Sequence, residues 1–288
     1  MRTLPLLLSA LLLVACQGNP VPAPPPVVPD SGSILDLRTG QALSPEALVE
    51  RLARAPRLIV GEQHDNADHH LLQLWLLRSL AMERPQGSLL LEMLNPDQQP
   101  RVDKVKRGVA GQRLPDGLIE ALAWQPGWDW GLYGPVVGYA LRQPYPLLAA
   151  NLDRQEIGRI YAQVPVLDGR QSNALSVTQA LSAQIRESHC GLLPEAQVPA
   201  MLAVQQQRDR RMAERLLAAP VPAMLLAGAF HGRRDLGVPL HMADLDLHRP
   251  VVVLLLAEQG SEVPAAAADY VWYTPSQPAK DYCAQLKP

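Results

Sequence analysis

The stretch RLIVGEQHDNADHH, residues 57–70, sets both the architecture and the chemistry of this chain. Arg57–Gly61 is a short apolar run that stops at a glycine. Glu62, His64, Asp65, Asp68, His69 and His70 follow at once, placing three of the seven histidines within seven residues. A continuous apolar run, rather than an alternating one, reads as a strand buried on both faces. Behind it, LLQLWLLRSLAME is apolar nearly all round and reads as an internal helix. The same alternation continues along the chain. SLLLEM (88–93) is a second strand, and 145–154, 222–231 and 250–258 each contain another, with long helical segments at 174–189 and 195–217. Short buried strands alternating with helices imply an α/β fold with a central, mostly parallel sheet flanked by helices. Residues 34–42 read as a small hairpin, and DYVWYT (269–274) as an edge strand, which leaves room for a mixed sheet. In SPEALVERLARA, Ser44 and Pro45 are an N-cap and a first helical residue.

The N-terminus is of a different kind. Arg2 is followed by an apolar core, Leu4 to Val14, of signal-peptide length and too short to span a bilayer. It ends in Leu13-Val14-Ala15-Cys16, which resembles a bacterial lipobox. Residues 1–15 are therefore expected to be a lipoprotein signal, with Cys16 as the lipidated residue. Gln17 rather than Asp follows, which by the enteric sorting rule favours the outer membrane. Residues 16–33 hold six prolines and no aromatic residue and read as a semi-rigid tether. Residues 34–288 are left as one domain. The formal net charge is −2 with no basic stripe, so nucleic acid is a poor partner. Outside the cytoplasm, Cys190 and Cys283 are disulfide candidates.

In α/β sheets, ligands bind beyond the carboxyl ends of the strands. Here those ends carry Glu62 and His64, then Glu92, then Asn151, Asp153 and Arg154, then His231 with Arg233, Arg234 and Asp235. GEQH and GAFH are both Gly-x-x-His at a strand end, 167 residues apart. An imidazole over a sheet edge can bind a metal or act as a base. His69 and His70 point in directions about 100° apart on a helix, so a joint grip on one ion is not expected, and helix-start solvation is the plain reading for at least one of them.

Taken in order, GEQHDNADHHLLQ, LLLEML, WQPGWDWGLYGPVVGYA, AANLDR, HCGLLP and LAGAFHGRRDLGVP resemble the ChaN-like lipoproteins, haem-binding uptake proteins of the Tiki superfamily. The resemblance spans roughly residues 34–275. It implies an outer-membrane-anchored, iron-regulated protein that assists haem acquisition. The wider superfamily is similar to metal-dependent proteases and erythromycin-esterase-like hydrolases.

Two readings stay open. As a haem protein, the chain would bind through axial side chains and an apolar cleft, because it has no C-x-x-C-H. The segment 124–139 packs Trp124, Trp128, Trp130, Tyr133 and Tyr139 into sixteen residues of a chain only 5% aromatic. Tyr133 is the first choice of iron ligand, with Tyr139, Tyr145 and Tyr161 behind it. Trp128 and Trp130 would cover the porphyrin, and Arg154 and Arg234 would bond the propionates. As a metal-dependent hydrolase, the chain would use His64, Glu92 and His231 to hold zinc or manganese, with Glu62 a fourth ligand or general base. A homodimer and an outer-membrane haem receptor are the further partners expected. Within QQQRDRRMAERL (205–216), a solvated helix face, Arg208 and Arg211 are the residues that could approach the site.

Overall fold

The computed structural model describes residues 32–109, 113–166, 169–278 and 280–286. The signal, Cys16 and all of the tether but Gly32 and Ser33 lie outside the described residues. The rest is an α/β arrangement built on one eight-stranded sheet. In chain order the strands are β1 (Ile34–Asp36), β2 (Gln41–Leu43), β3 (Arg57–Glu62), β4 (Ser88–Leu91), β5 (Leu147–Ala149), β6 (Ala223–Gly228), β7 (Val252–Glu258) and β8 (Tyr270–Thr274). Their spatial order is β2-β1-β8-β7-β3-β6-β4-β5. The six from β8 to β5 are parallel, and the β1–β2 hairpin pairs antiparallel onto β8. DYVWYT is therefore not an edge. The hairpin covers it, and Trp272 is fully buried.

β3 and β6 are central, and β6 inserts between β3 and β4 although it follows them in sequence. Successive strand residues face opposite sides. Leu58, Val60, Leu89, Leu91, Leu226 and Leu254 pack on one face. That face is covered by α2 (Ala67–Glu83) and α5 (Trp130–Arg142). Ile59, Leu90, Leu225 and Val253 pack on the other, under α8 (Val198–Ala218) and α10 (Val238–Leu245). Both faces are buried, which is why the strands lack polar alternation. Asn66 caps α2, its side chain accepting from the Asp68 and His69 amides. The capping oxygen satisfies donors that helix geometry leaves free.

The C-terminal segment after β8 is attached differently. Of its described residues from Pro275 to Ala284, all are exposed except Cys283. Cys283 is joined to Cys190, just beyond α7 (Leu175–Ser188), with Cα atoms 5.7 Å apart. A cross-link closing a loop of this length is worth about 2–5 kcal/mol, more than exposed polar contacts of about 0–1 kcal/mol each.

Candidate functional site

Close backbone approach creates the site. A Cβ on Gly61 would stand 2.5 Å from the Leu255 side chain and 3.0 Å from the Ala229 backbone. Gly61 lies inside β3, not after it, and its smallness lets the turn at Ala229–Gly232 sit on the strand ends. A Cβ on Gly228 would meet His64 Nε2 at 2.7 Å and Glu92 Oε2 at 3.7 Å. His64 and Glu92 therefore converge on the space that this glycine leaves open.

Glu62 is buried at the end of β3. Its Oε1 accepts from the Tyr133 hydroxyl at 2.8 Å and from His64 Nδ1 at 2.7 Å. Its Oε2 is buried without a hydrogen-bond partner, 3.9 Å from His70 Nε2. Burial works against a charged imidazole, but the bond to Glu62 and the nearby Glu92 carboxylate outweigh it and push His64 up to about 9. The His64 side chain remains 40% exposed.

The second cluster is buried, with His231 at the floor of a cleft. Glu92 Oε2 accepts from the Gly228 amide at 2.8 Å, and Oε1 lies 3.4 Å from His231 Nε2. His231 Nδ1 donates to Asp209 Oδ1 at 2.5 Å. Burial disfavours charge on His231, yet the flanking Glu92 and Asp209 outweigh it and raise its pKa. Burial also favours a neutral Glu92, and there His231 and His64 prevail and lower it. Arg208 is near enough to add to that lowering.

A cleft of about 750 Å³ opens over these groups, lined among others by His64, Gln205, Phe230, His231, Tyr282 and Cys283. Phe230 and Tyr282 are large aromatics left 46% and 52% exposed. A cavity of similar volume, about 760 Å³, lies around Arg101, Lys104 and Arg113. Among the described residues that line it there is no buried titratable group, so the chemistry is assigned to the first cleft.

Glu62, His64, Glu92 and His231 are thus brought together, but as pairs. Among the described residues no three His, Cys, Asp or Glu side chains are grouped to hold a metal ion. Glu62 Oε1, both Glu92 oxygens and Nδ1 of each histidine are engaged with one another or with Tyr133, Asp209 and Gly228, so the four residues expected to hold zinc or manganese stand here in carboxylate–imidazole contacts.

The aromatic segment is corrected too. Tyr133 is 1% exposed. Burial and the adjacent Glu62 carboxylate push its pKa strongly upward, and a phenolate beside a carboxylate is a poor prospect as an iron ligand. Trp130 packs edge-on against buried Trp124. Tyr139 sits under the Arg78 guanidinium, and Tyr145 is buried. Two members of the segment reach the site, Trp128 with its ring 4.8 Å from that of His64, and Tyr133 with its hydroxyl against Glu62 and His64 Nδ1. The segment is core because α5 must cover β3 and β4.

Arg154 is exposed at the start of α6 (Arg154–Ala162) and does not line the cleft. Arg234 is engaged with Asp269 and the Val251 carbonyl. Asn151 donates to the Glu92 carbonyl, and Arg211 pairs with Glu156. Neither His69 nor His70 is solvated. His69 accepts from the Gln63 amide and meets Thr274, and burial lowers it to about 4. His70 bonds the His64 carbonyl.

Asp209, Gln205, Phe230 and Tyr282 escaped sequence reasoning. Gln205 and Asp209 are four apart on α8 and share a face, a signal masked by the charges around them. Phe230, the only phenylalanine of the chain, stands inside GAFH itself.

The family model for haem-binding uptake proteins of the Tiki superfamily, ChaN, matches residues 48–242. The chain belongs to the ChaN family. The ChaN of Campylobacter jejuni, solved with cofacial haem binding, superimposes with a TM-score of 0.77 at 30% identity, covering 86% of this chain and 98% of that one. An erythromycin esterase in its open conformation is more distant, at 15% identity and a TM-score of 0.47, covering 86% and 84%. No curated protein matches the sequence.

In this ChaN-family chain the His64 titration is a direct check of the site. The imidazole should stay protonated through neutral pH and titrate near 9 in proton NMR. Its share of stability is complete below the ordinary value of about 6.5 and fades as pH rises to about 9. Glu62→Gln should return the titration toward the ordinary value. A wild-type midpoint near the ordinary value would refute the Glu62 bond.

Proposed function

We propose that this chain is an outer-membrane lipoprotein, lipidated at Cys16, that binds haem in the cleft over β3 and β6 and assists haem acquisition. Membership of a haem-binding family supports the ligand. The observation that carries the site is His64, an imidazole held at Nδ1 by Glu62 with Nε2 over Gly228, both residues lining the cleft. Axial imidazoles are commonly oriented in this way by a carboxylate on the other ring nitrogen. The cleft volume falls within the range of about 300–1,000 Å³ for small-molecule and cofactor sites, and exposed Phe230 and Tyr282 supply flat apolar surface.

When bound, the haem iron would supply the Lewis acid. His64 would offer Nε2 to it after losing its proton, or, still protonated, would bond a propionate. Trp128 would keep the ring in place. A homodimer, with cofacial haems as in the Campylobacter jejuni protein, and an outer-membrane haem receptor are the partners proposed.

A haemin titration of the full-length protein in detergent should give a Soret shift that saturates at a defined ratio. Cys16→Ser should release the protein from the membrane fraction without changing that shift. Absence of a saturable shift would sink the haem reading, and lipid-labelled Cys16→Ser would sink the anchor.

The two carboxylate–imidazole pairs, His64 with Glu62 and His231 with Asp209, favour a second reading as a hydrolase working by acid–base chemistry. Its metal-dependent form has no chelating group among the described residues.

A further inference from the structure

The segment after β8 reaches the cleft, although nothing in its sequence points there. Tyr282 and Cys283 line the cavity that His64, Phe230 and His231 also line. The segment reaches it from Thr274 at the end of β8, and three kinds of contact hold it. Lys280 Nζ lies 2.7 Å from Asp65 Oδ2, and the Tyr282 hydroxyl donates to the same carboxylate. Gln277 donates to Asp68 at 3.0 Å. The third is the bond between Cys283 and Cys190.

These contacts are unequal. The polar ones are all exposed, and such contacts are weak and screened by salt. From Pro275 to Ala284 no described side chain enters the core. The attachment that survives solvent competition is the covalent one. It joins the segment to the end of α7, whose Gln184 and Glu187 line the same cavity.

We propose that Tyr282 is a ligand-contacting residue of this cleft, and that the Cys190–Cys283 cross-link rather than packing holds it there. The ligand contact rests on the haem reading above; the pinning does not. An aromatic ring left 52% exposed on a segment tied down beside a ligand-sized cavity is suited to a flat apolar ligand, which would complete its burial. Asp65 then acts as a positioning residue. It stands one residue from His64 and accepts from the Tyr282 hydroxyl, so the segment's position is set from the loop that carries the imidazole.

Two measurements on the full-length protein separate the parts. In the first, His64 is modified with diethylpyrocarbonate and followed by mass spectrometry. Cys190→Ser/Cys283→Ser should react at least about fivefold faster than wild type, because a segment held only by exposed contacts opens more often. A wild-type rate in that variant overturns the pinning. Deleting 277–288 together with Cys190→Ser should match the double-serine variant, and a wild-type rate there overturns it equally. Matched circular dichroism and unfolding transitions show that both variants are folded.

In the second, haemin is released to a scavenging globin. Tyr282→Ala should release it about tenfold faster, the scale of a truncated aromatic anchor, and the double-serine variant should release it faster as well. Unchanged release from Tyr282→Ala overturns the ligand contact. If wild type shows no saturable haemin binding at all, the haem reading falls and the ligand contact falls with it. The diethylpyrocarbonate rates then decide the pinning alone.

Discussion

His64→Ala is expected to lower haemin affinity by roughly a hundredfold, the upper range seen when a metal ligand's orienting shell is lost. Tyr133→Phe is expected to leave the Soret shift in place. The contrast follows from where the two groups sit. His64 is 40% exposed at the cleft, with Nδ1 bound to Glu62. Tyr133 is buried behind it, and its hydroxyl is already donating to Glu62. Removing that hydroxyl leaves Glu62 Oε1 with the His64 bond alone, at a stability cost of about 1 kcal/mol. Haemin titrations of both variants, with urea unfolding alongside, check the pair of effects. A Soret shift lost in Tyr133→Phe and kept in His64→Ala would return the phenol to the role of ligand.

Glu92→Ala should be the most destabilising single change at the site, by about 3–5 kcal/mol, the usual penalty for breaking a buried ion pair. Glu92 is 2% exposed. It is the acceptor for the Gly228 amide, and it lies between His231 and His64, whose charges both lower its pKa. The variant orphans that amide and leaves His231 with Asp209 as its one carboxylate partner. Glu92→Gln keeps an acceptor for Gly228 and should cost less, about 1–3 kcal/mol. Denaturant unfolding at neutral pH measures both. Equal and small losses would mean that the buried pairing contributes little and that His231 is neutral in the folded protein.

The sheet was legible in the sequence because its cause is local. A parallel strand between two helical layers must be apolar at every position, and Leu58–Val60, Leu89–Leu91 and Val253–Leu256 are. Where tertiary pairing decides, the same reading failed. DYVWYT is short and ends a sequence of strands, yet the N-terminal hairpin covers it, and no local pattern encodes which distant strand a hairpin will join. The tryptophan-rich segment failed for a similar reason. Its composition suits a ligand surface and a core equally, and only the need of α5 to cover β3 and β4 separates the two.

The sequence by itself determined that strand ends would gather Glu62, His64, Glu92 and His231, because in a parallel sheet the carboxyl ends of the strands share one edge. It also carried the family, through motifs kept in order along the chain. The tertiary structure alone decided how those four residues are used. A titratable side chain is defined by what stands within about 3 Å of it, and the partners here come from far along the chain. Tyr133 lies 71 residues from Glu62, Asp209 lies 22 from His231, and Gly228 lies 136 from Glu92. Those partners turn an apparent metal set into two carboxylate–imidazole pairs, and a bond across 93 residues brings Tyr282 to their cleft.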